Sequence, residues 1–182
     1  SGWGGIAKSM CGSVMLCAIA LVSPDYDVVR PREDNGTFGG LQLAFVAGKA
    51  AIEYMLEHDL EAEAMRKGKI VEEYLSSHLP EIDPSLSFRG LGLMWGIDMG
   101  AYPCGTTQQI RKVCFEHGLI LELSCREDTV AKIMPPPVIH DEPLAEGLDT
   151  LIEGLADNVN PLALLHDKHP MLSAPAPYPP TP

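Results

Sequence analysis

The sequence predicts an α/β fold, and three features predict it. The continuous apolar run from Val14 to Val22 has the length and composition of a buried strand. Apolar residues from Leu41 to Leu56 recur at spacings of three and four, the period of a helix. Further on, short extended segments alternate with helical ones, as layers of helix and sheet require.

Each element has its own signals. Ser23-Pro24-Asp25 ends the first strand, and the polar stretch from Pro31 to Gly40 reads as a loop. The first long helix sets Leu41, Ala44, Phe45, Gly48, Ala51, Ile52, Met55 and Leu56 on one stripe, with Lys49, Glu53 and Glu57 on its polar side. A second helix, from about Leu60 to Leu79, carries Ala64, Gly68, Val71, Tyr74 and Leu75 on one side, and Pro80 is expected to stop it. Phe88 to Met99 is extended and interrupted by Gly90, Gly92 and Gly96, which predicts strands with tight backbone approaches. Thr106 and Gln109 make a capping-box pattern before Ile110, Val113 and Cys114, and Gly118 supplies the stop. Leu119 to Leu123 and Val130 to Met134 read as short strands. Asp141 is expected to cap a last helix with Pro143 in its first turn and Leu144, Leu148, Leu151, Ile152 and Leu155 as its core stripe. From Asn160 on, prolines recur up to Pro182, the composition of an irregular or disordered tail. The expected division is 1–40, 41–158 and 159–182.

Composition removes several function classes. The chain has 182 residues, 46% of them hydrophobic, enough to bury a core. Its 25 acidic and 13 basic residues give a net charge of −12, which disfavours binding to nucleic-acid phosphates. The apolar run after Lys8 resembles a signal peptide, yet it is far short of the roughly 20 residues that span a bilayer, and the buried strand is preferred. The cysteines, Cys11, Cys17, Cys104, Cys114 and Cys125, are odd in number and form no CxxC pair, so reduced thiols in a cytoplasmic protein are expected. His166 and His169 lack further ligands, and no metal is expected.

Ordered motifs then point to chemistry. Ala7-Lys8-Ser9-Met10-Cys11-Gly12-Ser13 is followed by Asn35-Gly36-Thr37-Phe38 and Leu43-Ala44-Phe45. Next come Arg89-Gly90-Leu91-Gly92-Leu93-Met94-Trp95-Gly96, Phe115-Glu116-His117-Gly118-Leu119-Ile120, Lys132-Ile133-Met134-Pro135-Pro136 and Glu146-Gly147-Leu148-Asp149. In this order they resemble the C-terminal part of the class III, pyridoxal-phosphate-dependent aminotransferases, in particular the diaminobutyrate type. The resemblance covers about residues 6 to 157.

It implies a fold type I transferase, with 1–40 as the end of the large domain, 41–158 as a connecting helix and the C-terminal small domain, and 159–182 as a tail. Lys8 is then the lysine whose amine condenses with the aldehyde of pyridoxal 5'-phosphate. Gly36 and Thr37 offer a backbone N–H and a hydroxyl to the phosphate, in the family that of the partner subunit, so a homodimer is implied. Lys132 stands where many relatives place a carboxylate-binding arginine, with an edge-strand lysine as the plain alternative. The implied reaction moves the terminal amino group of a diaminobutyrate-like diamino acid to 2-oxoglutarate, with amino-acid and 2-oxo-acid substrates.

The chain also departs from the pattern. Val14-Met15-Leu16 replaces a glycine-rich turn ending in proline, and Gly39 replaces an arginine. Few residues precede Lys8, and Gly2-Trp3-Gly4-Gly5 does not match the strand that carries the family's pyridine-binding aspartate. The expectation is a chain inactive alone, associating with an upstream half. The alternative expectation is a non-catalytic small-domain module that binds a partner chain.

Overall fold

The computed structural model describes residues 3–7, 9–11, 15–33, 36 and 39–159. The chain divides into two compact units, 1–61 and 62–182. The proline-rich tail beyond Val159 lies outside the described residues.

In the N-terminal unit, strand β1 (Trp3–Ala7) pairs antiparallel with β2 (Ala18–Val22), Trp3 opposite Val22 and Ala7 opposite Ala18. A 3-10 turn occupies Ser9–Cys11, and helix α1 spans Gln42–Glu57. Two expectations change here. The apolar run becomes a strand only over its last five residues, since Met15, Leu16 and Cys17 lie outside it. Nor is β2 buried on both faces: Leu21 is 58% exposed and Val22 48%. Its neighbours across the ladder explain the exposure at Ala20 and Leu21. Gly4 faces Leu21 and Gly5 faces Ala20, and two glycines offer no side chain to cover them. The same glycines hid β1 from a reading based on strand composition.

Along α1 only Ala44 and Gly48 are buried, although the whole Leu41–Leu56 pattern is apolar. These two small residues let the helix approach the Ser9–Cys11 turn, where Cys11 Sγ donates to Ala44 O at 3.3 Å. With that packing α1 belongs to the N-terminal unit, which runs to Glu61.

In the C-terminal unit, helix α2 (Leu60–Ile82, its first two residues in the N-terminal unit) sets Val71, Leu75 and Leu79 into the core at spacings of four. It runs past Pro80, which was expected to end it. The proline sits exposed in the last turn, while Leu79 is buried and Ile82 packs on the core, so packing outweighs the lost backbone donor. Strands β3 (Ser87–Leu91) and β4 (Met94–Asp98) form a hairpin whose two-residue turn opens on Gly92 at φ +56°. Helix α3 (Thr106–Glu116), β5 (Glu122–Ser124), β6 (Val130–Ile133) and α4 (Asp141–Asn158) complete the unit. The sheet order is β3-β4-β6-β5, and every pairing is antiparallel. The core joins Trp95 and Ile97 of β4 and Ala131 and Ile133 of β6 to Ile110, Cys114, Leu148, Leu151 and Leu155 of the helices.

Both expected side-chain caps fail. Gly105, not Thr106, is the N-cap of α3, and its carbonyl accepts from Gln109 N at 3.0 Å. His140 is the N-cap of α4, and Asp141, one residue inside, turns to Arg66. Gly118 does end α3: at φ +86°, it donates to Phe115 O while Leu119 N reaches back to Cys114 O at 2.8 Å.

The glycine-rich hairpin shows the expected close approaches. A Cβ on Gly90 would stand 2.3 Å from Met94 O, and one on Gly68 of α2 would stand 2.3 Å from Gly92 O. Gly68→Ala must therefore push a backbone carbonyl aside, an overpacking cost of about 1–3 kcal/mol. The roughly 1 kcal/mol gain in helix propensity offsets only part of it. In Gly147→Ala the new atom meets Leu119 Cδ1 at 3.6 Å, ordinary contact, so that variant should be neutral or slightly stabilising. Urea unfolding of the two variants should separate them in that order.

Asp83, 6% exposed, accepts from Ser85 N at 2.8 Å and from Tyr102 Oη at 2.7 Å. The Ser85 backbone N–H first, and then the Tyr102 hydroxyl, hold its carboxyl below the ordinary value. A depressed folded value adds stability above the unfolded value of about 3.9. That stability is lost as pH falls through the folded value. Thermal melts from pH 6 to pH 2 should show this acid-side loss, and Asp83→Asn should flatten it.

Candidate functional site

Of the residues expected to serve the cofactor, Lys8 and Thr37 lie outside the described residues. Their flanks are described. β1 ends at Ala7 and the 3-10 turn begins at Ser9, so Lys8 stands in sequence between a strand and a tight turn. Gly36 is exposed, and its carbonyl accepts from Gly39 N at 3.0 Å, where Gly39 enters a turn. A Cβ on Gly39 would stand 3.1 Å from that carbonyl. A glycine at 39 thus suits the turn better than the arginine of the family pattern.

Lys132 lies on β6, between β4 and β5 in the sheet, so it is not an edge-strand lysine. Its side chain is 26% exposed, and Nζ lies 2.5 Å from Glu122 Oε2 on the neighbouring strand. Both residues border an apolar pocket of about 420 Å³ formed by β5, β6, Pro135, Pro136, Ile139 and the first turns of α4. One cation beside an apolar wall can hold a carboxylate whose carbon chain lies in the pocket. Glu122 now takes that role.

A second group, which the sequence did not single out, holds the segment over this pocket. Arg66 on α2 donates from Nη2 to Asp141 Oδ1 at 2.7 Å and from Nη1 to Oδ2 at 3.0 Å, a two-pronged grip on the start of α4. Lys67, almost fully buried, donates to Pro137 O at 2.7 Å and lies 3.3 Å from Glu63. Hydrogen bonds from Arg66 and then Lys67 hold the Glu63 carboxyl below its ordinary value, and Arg66 does the same to Asp141. The sequence signal was available in the four-residue spacing of Glu63 and Lys67. The partner 75 residues away from Arg66 was not.

The Aminotransferase class-III family profile matches residues 5–155, most of the chain. The chain belongs to the class III aminotransferases. This class III chain is 36% identical over 155 residues to a diaminobutyrate–2-oxoglutarate transaminase of Wolinella succinogenes, covering 84% of the chain and 35% of that protein. It is 39% identical over 149 residues to a protein of the same name from Halomonas elongata, covering 80% and 35%. The chain thus spans about a third of the length of these curated relatives.

Among solved structures it is similar to the ornithine aminotransferase of Toxoplasma gondii, with a TM-score of 0.77 and 22% identity over 86% of this chain and 37% of that one. It is also similar to the taurine:2-oxoglutarate aminotransferase of Bifidobacterium kashiwanohense in complex with PLP and glutamate, with a TM-score of 0.73 and 26% identity over 85% and 37%. The mixed helix-and-sheet fold is that of part of these aminotransferases, whose family depends on pyridoxal phosphate. Among the described residues no helix is long and apolar enough to cross a membrane.

The described residues do not by themselves form a site for that cofactor. Gly36 alone of those assigned to it is described, and one exposed backbone donor is no cradle for a phosphate. The Lys132–Glu122 pair can be tested directly. Glu122 is 67% exposed on its side chain, so Glu122→Gln should change stability by less than about 1 kcal/mol in urea unfolding. A larger loss would make the pair structural.

Proposed function

We propose that this chain is the cofactor-lysine segment and small domain of a pyridoxal-phosphate-dependent transaminase. The enzyme would move the terminal amino group of a diaminobutyrate-like diamino acid to 2-oxoglutarate. The family match that runs from residue 5 through Lys8 to residue 155 carries this reading. Identities of 36% and 39% to relatives named diaminobutyrate–2-oxoglutarate transaminase support the substrate class. The cofactor, when bound, supplies the electron sink that amino-group transfer needs.

In this reading residues 1–40 end the large domain and 41–158 make the connecting helix and small domain. Lys8 holds the cofactor through its amine, and Gly36 and Thr37 donate to its phosphate. Lys132 meets a substrate carboxylate once the exposed Glu122 side chain turns away. The enzyme is a cytoplasmic homodimer, and this chain without the rest of such an enzyme is inactive.

A second reading is a partner-binding module without chemistry of its own. The exposure of Leu43, Phe45, Val46 and Leu56 on α1 and of Leu21 on β2 favours it, because apolar surface of that extent serves association.

Borohydride reduction in the presence of pyridoxal phosphate separates the readings. The first expects a stable adduct that mass spectrometry places on Lys8 in the full-length enzyme, with half-reactions on diamino acids abolished in Lys8→Ala and Lys8→Arg. Thr37→Ala should instead weaken cofactor retention by about 0.5–1.5 kcal/mol, or up to roughly 3 kcal/mol where the acceptor is charged. An adduct on Lys49 or Lys132, or on no lysine, would overturn the assignment.

A further inference from the structure

The N-terminal unit gathers three sulfur atoms against one turn of α1. Cys11 ends the Ser9–Cys11 turn and is 1% exposed. Its Sγ donates to Ala44 O at 3.3 Å and lies 3.3 Å from where a Cβ on Gly48 would stand. Cys17 is partly exposed, and its Sγ lies 3.8 Å from Met10 Sδ. Met10, Cys17, Ala44 and Gly48 line one cavity of about 320 Å³. Cys11 thus packs on Ala44 and Gly48, and Cys17 lines the cavity that these two residues border.

We propose that Cys11 and Cys17 are a modification site, oxidised by a hydroperoxide to a reversible disulfide within the chain. Cys17 reacts first because it is the accessible one. Its thiolate attacks one peroxide oxygen; an S–O bond forms, the O–O bond breaks, and the departing oxygen leaves as water. Cys17 is then a sulfenic acid. The Cys11 sulfur attacks the Cys17 sulfur, an S–S bond forms, the S–O bond breaks, and hydroxide leaves as water with the Cys11 proton. The two thiols lose two electrons and the peroxide gains them.

Cys11 is the slower thiol toward the oxidant, which leaves the first step to Cys17. A hydrogen bond with Cys17, then burial, then the charge of Cys17 push its thiol up to about 11, so it stays protonated and inert toward dilute oxidant. Proximity to an oxidised Cys17 is what makes it react. The other cysteines sit in the C-terminal unit, with Cys114 buried and Cys104 and Cys125 exposed as competitors for the oxidant. The site stands apart from any role of Lys8, since thiols and not turnover report on it.

The test uses the full chain, reduced, freed of reductant and treated with dilute hydrogen peroxide. Remaining thiols are alkylated after unfolding, and the chain is digested with trypsin. Lys8 and Arg32 bound a peptide that carries both cysteines, because the Arg30–Pro31 bond resists the protease. The expected product is that peptide, unalkylated and lighter by two hydrogens, appearing before Cys104 or Cys125 lose their label. Cleavage after Met10 and Met15 should leave the pieces 11–15 and 16–32 joined until dithiothreitol is added. In Cys11→Ser, dimedone should trap Cys17 as the sulfenic acid.

Sulfinic acid at Cys17 beside a free Cys11 would overturn the proposal. So would prior oxidation at Cys104 or Cys125, or bridges between chains. Mapping the unsubstituted chain decides the matter even if the variant fails to fold.

Discussion

Helix α2 meets the β3–β4 hairpin backbone to backbone. At Gly68 the helix comes so near to Gly92 that a single added carbon would stand 2.3 Å from the Gly92 oxygen. That carbonyl is already in use, accepting the Trp95 indole N–H at 2.6 Å. The hairpin therefore has little freedom to retreat, and Trp95 is fixed by its own turn. With Trp95 placed, Ile97 follows on the same face of β4, and Leu75 and Leu79 of α2 share its core. The rest of the C-terminal unit joins this contact: β6 pairs with β4, α3 and α4 share the same core, and Gly154 admits Cys114 Sγ at 3.0 Å from the position of its missing Cβ.

Charge is used here to hold a segment rather than to stabilise a surface. Arg66 and Lys67 are adjacent on α2, yet they grip different points, the carboxylate of Asp141 and the carbonyl of Pro137. Pro135, Pro136 and Pro137 lead into this stretch, which cannot build a ladder of its own there. The tie fixes where Pro135 and Pro136 cross the pocket that Lys132 borders. Arg66 and Asp141 are about half exposed, so the worth of the group lies in position more than in energy.

The N-terminal unit has the opposite character. Its two strands form an isolated antiparallel ribbon, and α1 presents apolar side chains that the described residues of this unit do not cover. In the proposed enzyme that exposed apolar surface would meet the rest of the protein. The relatives are about three times as long as the aligned stretch, and that agrees with such contact.

The sequence by itself determined the kinds of element, β1 excepted, and, through ordered motifs, the family. Helical period over 41–56 and 60–79 gave α1 and α2 because a core stripe must repeat each turn, and Gly118 marked the end of α3 because a left-handed residue was needed there. Tertiary structure decided what composition cannot encode. Pro80 sits inside α2 because Leu79 and Ile82 pack on the core beyond it. Thr106 and Asp141 do not cap their helices, since a backbone turn and a distant arginine won the competition. Lys132 was legible as a candidate but not as an interior-strand residue paired with Glu122, and Arg66 was not legible at all. Periodicity carries information over one or two turns of chain. A strand's neighbours and a guanidinium's partner are chosen by contacts between residues far apart in sequence, which only the folded chain brings together.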